Sequence, residues 1–300
     1  MSSRAPRSLA GKVIAITGGG RGIGRATATA LTAQGARVAI GDIDAELAAA
    51  TAAQLGAGTL GLALDVTDTA SFTAFLDEVE RELGPLDVLV NNAGIMPLGP
   101  FVAEPETTAR RLVDINLHGV IIGSKLALER FLPRGRGHLV NIASMAGKGG
   151  YPGGATYCAT KHAVVGLSHT IRAEVHGAGI DVSTVMPTVV NTELGSGLPP
   201  TRGFRFAEPE EVAESIVEAL RTGRMNVYVP RSMRWVALGG ALAPPRVADF
   251  VNRIFKADQV LARPDHLARA AYDARMAAGE ENGAPAPAPA AEPAREPAGT

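Results

Sequence analysis

Tyr157 and Lys161 are four residues apart in a stretch, Thr156 to His176, that reads as a helix, so the two side chains share one face. A phenol ordinarily titrates near about 10, too high to exchange protons readily at neutral pH. A cation within roughly 4 to 6 Å favours the phenolate and lowers that value by about 1 to 3. The spacing points to general acid/base chemistry, although a lone Tyr/Lys pair is more often a surface contact. Upstream, Thr17-Gly18-Gly19-Gly20-Arg21-Gly22-Ile23-Gly24 follows an apolar run and opens a helical one. Glycine at 18 permits a tight turn, at 22 lets backbone approach a pyrophosphate, and at 24 lets helix and strand pack closely; the helix N-terminus attracts phosphates. Asp42 lies 18 residues after Gly24, near the separation at which an acid meets adenosine ribose hydroxyls. Its alternative is to cap the next helix, a task open to Asp44. Ser144 ends another apolar run, where its hydroxyl could hold an oxygen on which charge develops, or merely shape a turn.

The scaffold that must position these residues is legible from Lys12 to Val229, where short β-branched runs alternate with Ala/Leu-rich stretches. Strands are predicted over Val13–Thr17, Arg37–Asp42, Thr59–Asp65, Leu86–Asn91, Gly137–Ala143, Asp181–Met186 and Asn226–Val229. They are apolar nearly throughout, as parallel strands covered on both faces are. Helices are predicted over Ile23–Gln34, Thr69–Leu83, Pro105–Phe131, Thr156–His176 and Pro209–Arg221. Right-handed crossovers then give an α/β fold: a Rossmann-type, doubly wound parallel sheet of seven strands with helices on both faces.

With these motifs in that order, the chain resembles the short-chain dehydrogenase/reductase family over Gly11 to Thr192. Its glycine spacing is Gly-x-x-x-Gly-x-Gly, and Asp65-Val66, Asn91-Asn92-Ala93-Gly94 and Tyr157-x-x-x-Lys161 follow the family pattern. The resemblance implies interconversion of a secondary alcohol and a ketone with a nicotinamide cofactor. It implies a catalytic set of Asn116, Ser144, Tyr157 and Lys161, with Tyr157 the general acid/base, Asn116 extending the proton path through a water and Lys161 also holding the nicotinamide ribose. The cofactor would be held by Gly18, Arg21, Gly22, Ile23, Gly24, Asp42, Asp65, Val66, Asn92, Ala93, Gly94, Tyr157, Lys161, Pro187, Val189 and Thr192. Thr188 stands where the family has glycine, which bears on the local backbone angle or the pocket shape. A carboxylate at 42 would face the extra phosphate of NADP, so NAD is favoured; NADP stays open because Arg21 could pair with that phosphate.

Composition narrows the field. A net charge of -1 with both signs scattered leaves no electrostatic footprint for nucleic acid. The single cysteine, Cys158, makes no internal disulfide and reads as a small packed thiol. No Cys/His cluster has metal-ligand spacing, and His118, His162, His169 and His176 read as structural or surface residues. No apolar run approaches the roughly 18 residues that span a bilayer, and the start lacks a signal-peptide core. A cytoplasmic protein is expected.

The organisation read from these patterns is a flexible N-terminus over 1–10, a catalytic domain over 11–230, a helical extension over 231–278 and a disordered Ala/Pro-rich tail over 279–300. Within the extension, Pro244 and Pro245 precede a stripe of Val247, Phe250, Val251 and Ile254 that predicts a short helix. Leu194 to Phe206, with Phe204 and Phe206, reads as a lid over a hydrophobic substrate, and Met145 as pocket wall or core. Trp235 to Phe255 could cap the pocket or touch membranes peripherally, the latter not favoured. The resemblance also implies a homo-oligomer, dimer or tetramer, built on the long helices. Two readings of other kinds remain: a non-catalytic nucleotide-binding regulator and an interaction protein working through its C-terminal region. Within enzymes the alternative is an NADP-linked carbonyl reductase.

Overall fold

In a computed structural model that describes residues 6–56, 58–199, 205–244, 246–247, 253–254 and 259–283, the chain builds one parallel sheet of seven strands in the order β3-β2-β1-β4-β5-β6-β7. The strands are β1 (Val13–Thr17), β2 (Arg37–Asp42), β3 (Thr59–Ala63), β4 (Val88–Asn91), β5 (Gly137–Ile142), β6 (Ile180–Pro187) and β7 (Asn226–Val229). Successive side chains of β1 feed opposite faces. Ile14 and Ile16 join one buried apolar cluster with Leu31, Val212 and Ile216; Val13 and Ala15 join another with Phe72, Leu76 and Phe131. The first cluster is covered by α1 (Gly22–Ala33), α2 (Ala45–Leu55) and α7 (Pro209–Thr222). The second is covered by α3 (Thr69–Leu83), α5 (Gly119–Phe131) and α6 (Ala155–Glu174). The strand order reverses between β1 and β4, and this opens a crevice at the carboxyl edge of the sheet.

The single helix expected over Pro105–Phe131 is two, α4 (Glu106–Val113) and α5, joined by a π-helical turn over Asp114–His118. The break has a local cause: the buried Asn116 amide in that turn is tied to the backbone of Ile95. Helix α2 follows β2, and Asp44 caps it by accepting from the Leu47 N–H, the task its position left open to it.

At the start of the described residues, the segment 6–10 is anchored at two points, although residues 6, 8 and 10 are exposed. Leu9 joins the core, and Arg7 bonds the Arg221 carbonyl through its N–H and pairs with Asp181. Beyond the sheet lie α8 (Met233–Leu242), which leaves Trp235, Leu238 and Leu242 exposed, and α9 (His266–Gly283). Asp265 caps α9 by accepting from the N–H groups of Leu267 and Ala268. This helix runs past the expected tail boundary at 279, because Ala-rich sequence with docked Tyr272 continues helically. The helix expected around Pro244–Ile254 lies largely outside the described residues, as do Phe204 and residues 284–300. Among the described residues, no helix is long and apolar enough to cross a membrane.

Candidate active site

The glycine-rich turn folds as its sequence requires. Gly18 adopts φ +62° and Gly22 φ +52°, and a Cβ at Gly24 would lie 2.2 Å from the Gly18 carbonyl oxygen. Gly24 therefore packs helix on strand and does not line the crevice. Asn92 and Thr17 lock this turn to β4. The Asn92 amide donates to the carbonyls of Thr17 and Gly18, both at 2.9 Å, while the Thr17 hydroxyl accepts from the N–H groups of Asn92 and Ala93. Helix α1 then starts with no side-chain cap and no acid in its first turn, in contrast to α2 and α3, which Asp44 and Asp68 cap. Its free N–H groups are left for an anion.

Over this turn opens a cavity of 1890 Å³. A drug-sized ligand occupies roughly 300 to 1,000 Å³, so a dinucleotide and a substrate fit together. Gly18, Arg21, Gly22, Ile23, Asp42, Asp65, Val66, Asn92, Ala93, Gly94, Pro187, Val189 and Thr192 line it, together with Ser144, Tyr157 and Lys161. The uncapped helix start, the cavity size and this lining fit a nicotinamide dinucleotide.

Asp42 is fixed at the end of β2, in the cavity wall. Its carboxylate accepts from the N–H of Gly20 at 3.0 Å and of Asp44 at 3.2 Å. Arg21 is engaged elsewhere: it pairs with Asp44 at 3.3 Å and with Glu193 at 3.2 Å, and Arg275 of α9 meets the same Glu193 at 2.6 Å. Asp65 accepts from the hydroxyl and N–H of Thr67. Thr188 donates its N–H to Val229 at 2.9 Å and prolongs the β6–β7 pairing, so threonine is accommodated there; its buried hydroxyl has no partner among the described residues.

At the other end, Tyr157 and Lys161 of α6 are buried, the ammonium 5.7 Å from the ring centre. Lys161 donates to the Ile142 carbonyl at 3.0 Å. Ser144 caps a short 3-10 turn by accepting from the Ala146 N–H and is hydrogen-bonded to the Tyr157 phenol. Spacing alone suggested that the lysine would pull the phenol down. Instead, burial holds Tyr157 well above its ordinary value, with the Ser144 bond pulling the other way, and burial lowers Lys161 to about 8. Desolvation penalises both charges, and the pair loses its first proton from the lysine.

Asn116 is not in the cavity wall. It is fully buried, its Oδ1 accepting from Ile95 N–H at 2.8 Å and its Nδ2 donating to Ile95 O at 2.9 Å, so its amide is already committed. Cys158 packs as a buried thiol that burial pushes up. Met145 does both things expected of it, lining the cavity and joining a buried cluster.

The sequence reading missed part of the site. Tyr272 and Met276 of α9 line the cavity beside Leu198, Phe206, Val260 and Leu261, and Arg269 is the largest fully buried side chain among the described residues. The spacing 269, 272, 276 is one helical face, a signal disguised by the arginine on it.

Comparisons with known proteins agree with this fold. The family described as short chain dehydrogenase matches residues 12–203. A 2-(S)-hydroxypropyl-CoM dehydrogenase of Xanthobacter autotrophicus is 39% identical over 227 residues, 70% of this chain and 89% of that protein. A D-threitol dehydrogenase of Mycolicibacterium smegmatis is 41% identical over 224 residues, 70% of this chain and 85% of that protein. A short chain dehydrogenase/reductase of Burkholderia phymatum, solved in complex with NAD, superposes with a TM-score of 0.71 at 26% identity, covering 77% of this chain and 93% of that one. The chain therefore belongs to the short chain dehydrogenase family and is an oxidoreductase of alcohols and ketones that uses a nicotinamide cofactor.

Proposed function

We propose that this enzyme is an NAD-dependent secondary-alcohol dehydrogenase for a predominantly apolar substrate, with Tyr157 as general acid/base. One observation carries the reading: Ser144, Tyr157 and Lys161 meet in a single cavity whose far wall is apolar. When bound, the nicotinamide supplies the hydride acceptor or donor. The chain's residues do the rest. The Ser144 hydroxyl holds the reacting oxygen, and the Tyr157 oxygen takes the alcohol proton as phenolate or, in the reverse direction, gives it back as phenol. The buried Lys161 ammonium stabilises the phenolate form, and Gly18, Gly22, Ile23 and Gly24 form the phosphate turn. Asp65, Val66, Ala93 and Gly94 flank the adenine and ribose, with Pro187, Val189 and Thr192 at the nicotinamide. Asn92 and Asn116 act as positioning residues through the backbones of Gly18 and Ile95.

The preference for NAD rests on the buried, doubly hydrogen-bonded Asp42 and on Arg21 being paired with two carboxylates. The catalytic domain spans 11–230, and the extension from 231 completes the substrate pocket. The reduced Cys158 suits a cytoplasmic setting, and self-association would use the outer faces of the long helices. The test is a screen of secondary alcohols and ketones with both cofactors, followed by the absorbance of reduced nicotinamide. Turnover with NAD is expected; cofactor binding without turnover of any alcohol or ketone would overturn the reading.

A further inference from the structure

The substrate end of the cavity contains a second phenol, Tyr272, supplied by α9. The residue is buried, and its hydroxyl oxygen accepts from the Met96 N–H at 2.7 Å. That bond uses the oxygen's lone pair and leaves the phenol proton to donate. Among the described residues, none accepts it. Met96, Leu198, Val260, Leu261 and Met276 line the cavity with it, and the charged Arg111 that also lines it is a donor and not an acceptor.

The ring cannot easily turn away. Arg269 stacks on it at 4.5 Å and is itself held by the backbone carbonyls of Leu194, Ser196 and Met96. These carbonyls belong to the segments that follow β6 and β4, so the latch places Tyr272 relative to the reacting centre. A donor fixed in this way is preorganised. A wholly apolar substrate seated against it would leave a buried O–H unpaired.

We propose that Tyr272 is a specificity-determining residue that donates a hydrogen bond to a second oxygen on the substrate, so that the enzyme selects apolar alcohols or ketones carrying a further hydroxyl, carbonyl or ether oxygen. This rests on the alcohol dehydrogenase reading of the same site.

The experiment compares kcat/KM for cyclohexanol and 2-decalol with that for the corresponding diols, in the wild-type enzyme and in Tyr272→Phe, with NAD saturating. The wild type is expected to favour at least one diol over its mono-alcohol by about tenfold or more, the usual cost of leaving a buried donor unpaired. In Tyr272→Phe the ratio should fall to within about twofold of unity, chiefly because mono-alcohol turnover rises once no donor is left unpaired, with NADH affinity by calorimetry retained. Should the Phe variant melt below the assay temperature, Tyr272→Leu, which also lacks the donor, replaces it. Equal use of diols and mono-alcohols by the wild type would overturn the inference, as would a Phe variant that lowers both substrates by one common factor. Either result leaves the dehydrogenase reading standing; absence of turnover on any alcohol or ketone removes both.

Discussion

The Lys161 ammonium lies 5.7 Å from the centre of the Tyr157 ring, with both side chains buried in one wall of the cavity. Burial raises the phenol and lowers the lysine to about 8, so the lysine gives up its proton first. Below pH 8 both groups are protonated and the phenol is ready to donate to a ketone oxygen. Above it the lysine is neutral, so the proton that Tyr157 takes from an alcohol can pass on to the amine. Alcohol oxidation should therefore rise with pH through 8 to a plateau, and ketone reduction should fall over the same interval. Profiles of kcat/KM in both directions check this, and Lys161→Met should abolish the step.

Replacing Tyr157 by Phe removes the proton acceptor but keeps the ring. Turnover is expected to fall by about 10² to 10⁴, the ordinary contribution of general acid/base catalysis. Calorimetric affinity for NADH should stay within about threefold, since the phosphate turn and Asp42 are untouched. Retained turnover would remove Tyr157 from the chemistry.

Asp42 accepts from the Gly20 and Asp44 N–H groups beside the phosphate turn, where on the proposed reading its carboxylate would oppose the extra phosphate of NADP. In Asp42→Ala, kcat/KM with NAD should fall and that with NADP should rise, narrowing their ratio by about a hundredfold, in keeping with several kcal/mol for opposed like charges. Steady-state kinetics with both cofactors decides it.

His138 is buried in β5 with Nε2 2.8 Å from the Ser183 hydroxyl, which donates its own proton to the Arg224 carbonyl. Nε2 must then be the donor, and burial lowers the imidazole to about 4, with the Asp181 carboxylate opposing. The folded value lies below the unfolded one of about 6.5, so the unfolded chain binds the extra proton first and stability is lost as pH falls from about 6.5 towards 4. The loss amounts to about 3 kcal/mol at completion. Urea titrations at pH 7 and pH 4.5 should show a smaller acid loss in His138→Gln, which keeps an N–H donor.

Arg269 satisfies three backbone carbonyls from inside the protein. Arg269→Met leaves those carbonyls dry and should destabilise the attachment of α9 by about 3 kcal/mol. Limited proteolysis is expected to cut between 259 and 283 while the sheet domain persists, and turnover should fall with that cleavage.

Much of this was readable beforehand because parallel strands and phosphate turns depend on local sequence. The Val13–Thr17 strand, the Gly18–Gly24 turn and the Tyr157–Lys161 spacing each carry their own pattern. What was not readable depends on distant partners. Asn116 breaks a helix because Ile95 offers it two backbone groups, and no periodicity in Pro105–Phe131 announces that. Arg269 looks like a solvated residue until three carbonyls converge on it, and with it Tyr272 stayed hidden. The direction of the Tyr157 shift was misjudged for a related reason: spacing reports the neighbouring cation but not the depth at which both groups lie.

The last strand of the sheet ends at Val229, whereas the phenol at the far wall of the pocket is residue 272. During synthesis the cofactor crevice can therefore assemble while the helix that finishes the substrate chamber is still inside the ribosome. A nascent chain in that condition would hold its dinucleotide but discriminate poorly among alcohols until α9 docks.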